Sequence, residues 1–300
     1  MWFVRLLLKS MHLGIGEQRI FGILHPKAKQ FFQICANLSK LCCTLADNKF
    51  NVATSATSSS RSLGALDLPV AIEPFEYVRP QLCEIFPGNI EKLLSTDILY
   101  METKMDGERF QLHYKDNRFK YISRNGVDYT ESFGSSYDDE NKLTSKLKHL
   151  LPIGMTSIIL DGEMMVWDTY HNKYREKSEN TDVKHLKADR SWQPCFVVYD
   201  LLYWNGESMM QLPFIQRTFK LKNLIKEQEG ILCLMKAVKV TSVEDFKEKF
   251  QQALDQNQEG VVLKNQSATY SPGRRNGGGW YKVKADVSIS TWIKNRKNLR

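Results

Sequence analysis

Two long apolar runs constrain this chain most: SIILDGEMMVW at 157–167 and CFVVYDLLYW at 195–204. Both are rich in β-branched and aromatic residues, which favour a pleated and buried backbone. Shorter runs of the same kind are YMETK (100–104), FQLHY (110–114), FKYIS (119–123), GVVLK (260–264) and WYKVK (280–284). Helical patterns interrupt them at about 141–150, 214–226 and 243–256. In the last of these, Ser242 with Asp245 makes an N-cap box, and Val243, Phe246, Phe250, Ala253 and Leu254 form one apolar stripe. The pattern predicts an α+β domain of packed, mostly antiparallel sheets flanked by helices, spanning 70–287.

Ahead of that domain, residues 1–50 read as a short helical region, with Phe31, Ile34, Leu38, Leu41 and Leu45 at three-to-four spacing. The stretch NVATSATSSSRSLGA has almost no large apolar residue, so 51–69 reads as a linker and 288–300 as a tail. The opening MWFVRLLLKS is broken by Arg5 and Lys9 and lacks a cleavage site, so it reads as amphipathic and not as a secretory signal. No run approaches the roughly 18 apolar residues that a membrane span needs. The chain is therefore expected to be soluble, not secreted and without a membrane partner.

Apolar residues make up 42% and charged residues 25% of the 300, which excludes disorder as the default. The formal charge of +8 and a pI near 9.0 suit a polyanionic partner such as nucleic acid or nucleotide. The six cysteines show no C-x-x-C pair and no metal-ligand spacing, and read as reduced, mostly buried thiols.

Several short clusters in the β-rich domain carry chemistry. KMDGER at 104–109 ends a strand-like run in an Asp-Gly turn, which taken singly is a charged turn. SRNG at 123–126 is a strand entering an Asn-Gly turn. LDGEMMVW puts Glu163 inside an apolar strand, where a carboxylate demands a cation or donor partner. EGVVLK joins Glu259 to Lys264, and WYKVK alternates Lys282 and Lys284 onto one face. Together they form a complementary kit of one candidate amine nucleophile, two carboxylates, further lysines and two arginines. A lysine attacks phosphorus only as the neutral amine, against an ordinary pKa of about 10.4, so a nucleophilic lysine needs burial or neighbouring cations. Attack by Lys104 on a nucleotide α-phosphate would give a covalent lysyl-nucleotide.

The order K-x-D-G-x-R, S-R-N-G, D-G-E, V-Y-D-L-L-Y-x-N-G, E-G-V-V-L-K, W-x-K-x-K resembles the motif series of the covalent nucleotidyltransferases, namely ATP-dependent DNA ligases and messenger-RNA capping enzymes. Within that superfamily ETKMDGERFQLHY, YISRNGVDYTESFG and ILDGEMMVW are most similar to the eukaryotic DNA ligase IV branch of non-homologous end joining. The resemblance implies a nucleotidyltransferase (adenylation) domain in which Lys104 is adenylated, preceded over 1–50 by a helical remnant of the family's DNA-binding domain. Glu102 and Thr103 would lie by the adenine, and Met105 would contribute to the pocket. Arg109 and Arg124 would hold ribose and phosphate, and Tyr199, a phenylalanine in most of the family, would stack on the base. Glu163 and Glu259 would serve the metal and ribose, while Lys177, Lys264 and Lys282 would contact phosphate.

The implied cofactors are ATP, as AMP donor, and Mg²⁺ or Mn²⁺. The implied substrate is DNA with nicks or broken ends, and the implied location is the nucleus. In the family an OB-fold follows this domain, and ligase IV continues into BRCT repeats that hold a coiled-coil scaffold partner. The chain stops at Arg300, so the expectation is a truncated form whose region for docking that scaffold is absent, which charges Lys104 slowly and joins DNA poorly unaided. A capping guanylyltransferase, an RNA ligase and a DNA-binding relic without turnover are the alternative readings.

Overall fold

The computed structural model describes residues 16–25, 28–54, 72–175, 182–186, 191–256 and 258–284. They form two compact units, one from residues up to 72 with 76–79, the other from 73–75 and residues from 80 onward.

The first unit contains α1 (Glu17–Leu24), α2 (Ala28–Cys35) and α3 (Leu38–Thr54). Its core is Phe21, Ala28, Phe31, Cys35, Leu41 and Leu45. The predicted stripe is not continuous, because Ala36 adopts φ 43° and Asn37 starts a new helix by accepting from Lys40 N at 2.9 Å. Leu38 thereby falls in a first turn and is exposed, whereas Ile34 is buried. A Lys40–Glu76 ion pair at 2.9 Å and the Arg79 guanidinium over Phe32 hold residues 76–79 to this unit. Helix α3 continues into the stretch expected to be linker, since Asn51 to Thr54 offers neither Pro nor Gly to stop it. The opening ten residues and 55–71 lie outside the described residues.

In the second unit the elements run β1 (Glu84–Ile85), α4 (Ile90–Thr96), β2 (Leu99–Thr103), β3 (Glu108–Lys115), β4 (Arg118–Ser123), α5 (Thr130–Phe133) and α6 (Leu143–Lys146). Next come β5 (Ser157–Asp168), β6 (Lys173–Arg175), a 3₁₀ turn (Val183–His185), β7 (Trp192–Trp204) and β8 (Glu207–Ser208). The series ends with α7 (Phe214–Leu224), β9 (Leu232–Leu234), β10 (Val238–Val240), α8 (Val243–Asp255), β11 (Gly260–Asn265) and β12 (Trp280–Lys284). Every predicted run is a strand. The helix expected at 141–150 shrinks to the single turn α6, with Leu147 and Leu150 closed by i→i+3 bonds.

The strands build a five-stranded sheet ordered β1-β12-β11-β2-β10 and a seven-stranded sheet ordered β4-β3-β5-β7-β8, with β6 beside β5 and β9 beside β7. All pairs are antiparallel except β1/β12 and β7/β9. The α+β expectation therefore holds. Strand alternation gives each sheet one apolar face and a second face that is polar around the pocket and, on the large sheet, apolar where Met165, Trp167, Cys195 and Val197 cluster. In the small sheet Leu99, Met101, Val261, Leu263 and Val283 pack with Phe246 and Phe250 of α8. Asp245 N donates to Ser242 Oγ at 3.1 Å, and the Asp245 carboxylate accepts from Thr241 N at 2.7 Å, so the predicted cap forms. In the large sheet Phe110, Leu112, Leu160, Met164, Phe196 and Val198 face the other core. What remains, the alternate residues of β2, β3, β5, β11 and β12, is mostly polar and lines the space between the sheets.

Candidate active site

The pocket between the polar faces has a volume of about 570 Å³. The small sheet lines it with Glu102, Val262, Lys264, Trp280, Lys282 and Lys284, and Lys104 joins them just beyond the end of β2. Glu163 and Tyr199 enter from the large sheet, together with Arg109 of β3.

Lys104 follows β2 directly, and its backbone N–H donates to Gly260 O at 2.9 Å. That bond extends the β2/β11 ladder by one step and brings the Lys104 ammonium against the Glu259 carboxylate, 155 residues away in sequence. The ladder is held close by glycine. Gly260 has φ +144°, and a Cβ there would sit 2.1 Å from Val283 O. Gly107 meets a similar limit, since its Cβ would lie 2.7 Å from Met164 O and against Met165 Sδ. The Asp-Gly turn expected in KMDGER is instead a bend at Gly107 that lays the chain on β5. Glu259 also has Lys284 at 3.6 Å.

A second lysine pairs across the same two strands. Lys264 Nζ lies 2.7 Å from Glu102 Oε2, a close ion pair rather than an aligned hydrogen bond. Three rings enclose the ammonium: Trp280 at 4.2 Å, Phe214 at 4.8 Å and Tyr199 at 4.9 Å. Burial pushes the Glu102 carboxyl up, and Lys264 opposes that rise.

Beneath the pocket Asp161 is a shared acceptor. It takes both arms of Arg109, from Nε at 3.0 Å and Nη2 at 2.5 Å, with Tyr270 OH at 2.6 Å and Tyr199 OH at 3.4 Å. Arg109 also donates to Gln81 O at 2.6 Å. Burial works against its charge, but Asp161 outweighs that and holds the guanidinium firmly protonated. Arg109, directly opposite Glu163 in the register, is thus committed to Asp161 and is not the partner that Glu163 was expected to have. Glu163 makes no hydrogen bond or ion pair among the described residues, and burial pushes its carboxyl up to about 7 against the pull of Arg109 and Lys104.

The 80–284 segment matches the family model described as "ATP dependent DNA ligase domain". The chain belongs to the ATP-dependent DNA ligase family. It is 30% identical to the DNA ligase 4 of Gallus gallus over 286 residues, and 29% identical to that of Homo sapiens over the same length. Each alignment covers 95% of this chain and 30% of the relative, so the chain spans about 30% of the length of the curated relatives it matches. A solved structure described as "Pmar-Lig_PreS3" shares the fold, with a TM-score of 0.55 and 16% identity over 94% of this chain and 55% of that one.

Of the ligase site residues expected from sequence, Glu102, Thr103, Lys104, Met105, Arg109, Arg124, Glu163, Tyr199, Glu259, Lys264 and Lys282 all line this one pocket. Lys177 lies outside the described residues. Lys184, on the 3₁₀ turn, does line the pocket, paired with Glu108 at 2.9 Å and lying 5.2 Å from the Tyr129 ring centroid. Sequence reasoning missed it, together with Asp161, Gln81 and Tyr270. Asp161 carried a usable signal: it sits two residues before Glu163 on the same strand face, so it shares that residue's need for a cation. Tyr270 and Gln81 had none, being brought in by loops.

Proposed function

We propose that this chain performs the charging step of a DNA ligase: Lys104 Nζ attacks the α-phosphorus of ATP, an N–P bond forms, the bond to pyrophosphate breaks, and lysyl-AMP results. The observation that carries this reading is Lys104 held by the β2/β11 ladder at a pocket where cations and carboxylates converge. Glu259, in contact with the ammonium, is the group placed to receive the departing proton. Lys282 and Lys184 supply positive charge for phosphate oxygens, whereas Lys264 is caged against Glu102 behind them. Tyr199 and Trp280 offer ring faces for a base, and the Tyr199 hydroxyl is satisfied by Asp161.

The donor set fits a divalent metal ion of the magnesium type. Glu163 and Glu259 are oxygen donors, and no described group of three or more His, Cys, Asp or Glu forms a cage. Such a set suits an ion that completes its shell with water and substrate phosphate. When bound, that ion would offset charge on the phosphates. Arg124, Arg275 and Lys284 give the pocket an exposed basic rim suited to the phosphodiester backbone of nicked or broken DNA. Likeness to proteins named DNA ligase 4 over 95% of the chain supports a setting in double-strand break repair by end joining, in the nucleus, with a coiled-coil scaffold as the longer protein's partner.

Intact-mass measurement after incubation with ATP and magnesium tests the reading. One added AMP is expected on the native chain and none on Lys104→Arg, which keeps the charge but cannot present a neutral amine. Labelling of Lys104→Arg would refute the assignment, and labelling by GTP in place of ATP would favour a capping-type enzyme.

A further inference from the structure

The pocket's underside contains a group of side chains that the charging chemistry does not use. Met165, Trp167, Cys195 and Val197 form an apolar cluster on the large sheet, extended by Met105, Tyr174, Cys233 and Met235. Met105 and Met235 also line the pocket, so the cluster backs its wall. Within it Cys195 Sγ and Cys233 Sγ lie 4.0 Å apart.

Strand pairing produces this proximity. β7 and β9 run parallel with Phe196 opposite Leu232 and Val197 opposite Cys233, so the two cysteines are diagonal neighbours on one face. They differ in access. Cys195 is fully buried, while Cys233 sits on the short outer strand β9 and is half-buried. The contact with Cys195 pulls the Cys233 thiol below its ordinary range, and Tyr174 reinforces the effect. The same contact, with burial, raises Cys195. The outer sulfur is therefore the one an oxidant meets first, and the inner one lies directly behind it.

We propose that Cys195 and Cys233 form a reversible intrachain disulfide site, closed by a hydroperoxide that reaches Cys233. The Cys233 thiolate attacks the peroxide oxygen, the O–O bond breaks, and a sulfenic acid forms with release of water or alcohol. The Cys195 sulfur then attacks that sulfenic sulfur, the S–O bond breaks, and a second water leaves with the Cys195 proton. The peroxide is reduced by two electrons, and the two thiols are oxidised by two. Closure shortens the sulfur separation from 4.0 Å to about 2.05 Å, a movement of roughly 1 Å by each side chain.

The test is peptide mapping of the full chain after hydrogen peroxide treatment, with Cys42→Ser and Cys43→Ser introduced to remove the two exposed thiols of the first unit. After alkylation of remaining thiols and digestion without reductant, a linked peptide pair containing Cys195 and Cys233 is expected. Its mass should be two hydrogens below the sum of the parts, and dithiothreitol should abolish it. Cys83 should stay alkylated. In Cys195→Ser the sulfenic acid at Cys233 has no resolving thiol, so sulfinic acid should accumulate there. Recovery of Cys195 and Cys233 as separate alkylated or sulfinic peptides from the native fold would overturn the proposal, as would equal linking in urea. None of these readouts depends on ATP labelling, so this inference and the proposed adenylation can fail separately.

Discussion

The strand pair β2/β11 carries two lysine–glutamate pairs that differ in how far they are sealed. Lys104 and Glu259, at its open end, have side chains 24% and 31% exposed, whereas Lys264 and Glu102 are 2% and 5% exposed. The buried pair is caged by three rings and cannot exchange partners without leaving a charge in an apolar site. The open pair faces the pocket, where a substrate can reach the amine. Proximity of a lysine to a carboxylate is common to both. What separates the proposed nucleophile from a caged cation here is one end of a ladder against its interior.

Lys104→Met should reduce ATP labelling to background while costing less than about 1 kcal/mol in urea unfolding, as for a partly exposed ion pair. Lys264→Met should show the reverse emphasis, losing about 3–5 kcal/mol by stranding Glu102, and the double change Lys264→Met with Glu102→Met should recover most of that loss. If the single change costs as little as Lys104→Met does, the two pairs are energetically alike and the contrast collapses.

A smaller effect is expected at the hinge of the open pair. Gly260→Ala puts a Cβ against Val283 O at a φ of +144° and should cost about 2–3 kcal/mol, with slower labelling because Glu259 shifts from Lys104. A variant that unfolds less easily than the native chain would show that the close strand approach is not a constraint. Smallest is a pH effect at Glu163. Its carboxyl is raised to about 7 from an ordinary 4.5, so the stability of the folded form is fullest below about pH 4.5 and declines as pH rises through 7. Glu163→Gln removes that decline, and its stability relative to the native chain should increase by about 2 kcal/mol between pH 5 and 8, discounted because the side chain opens onto the pocket. A difference that stays flat with pH in chelated buffer would place Glu163 among ordinary solvated carboxylates.

Strand propensity and alternation are local properties, so each β run and the capped stripe of α8 are legible in the residues themselves. The apolar stripe Phe31 to Leu45 is legible in period but not in continuity, because the break is a backbone choice at Ala36 and Asn37. The expectation of mostly buried cysteines fails: Cys35 and Cys195 are buried, but Cys42 and Cys43 are exposed, and Cys83 and Cys233 are intermediate. Thiols have too little surface for composition to predict which side of a sheet or helix they occupy.

Residue type and motif order alone determined that Lys104, Glu163, Glu259, Lys264 and Lys282 belong to one chemical kit, since the proposed reaction calls for those groups whatever their partners. Which group meets which was decided by tertiary structure. Register sends Lys104 to Glu259 and Lys264 to Glu102, although either lysine could neutralise either acid. Arg109 goes to its diagonal neighbour Asp161 although Glu163 lies directly opposite it, because β3 and β5 bring both carboxylates to the same face and only one can take the bidentate fork. A register shift between Asp161 and Gly162 leaves Tyr199 and Asp200 both off the core face of β7, so the ring reaches the pocket while Asp200 binds Arg217. These are relations between strands distant in sequence, set by ladder geometry and by the exclusion of unpaired charge, and no single segment encodes them.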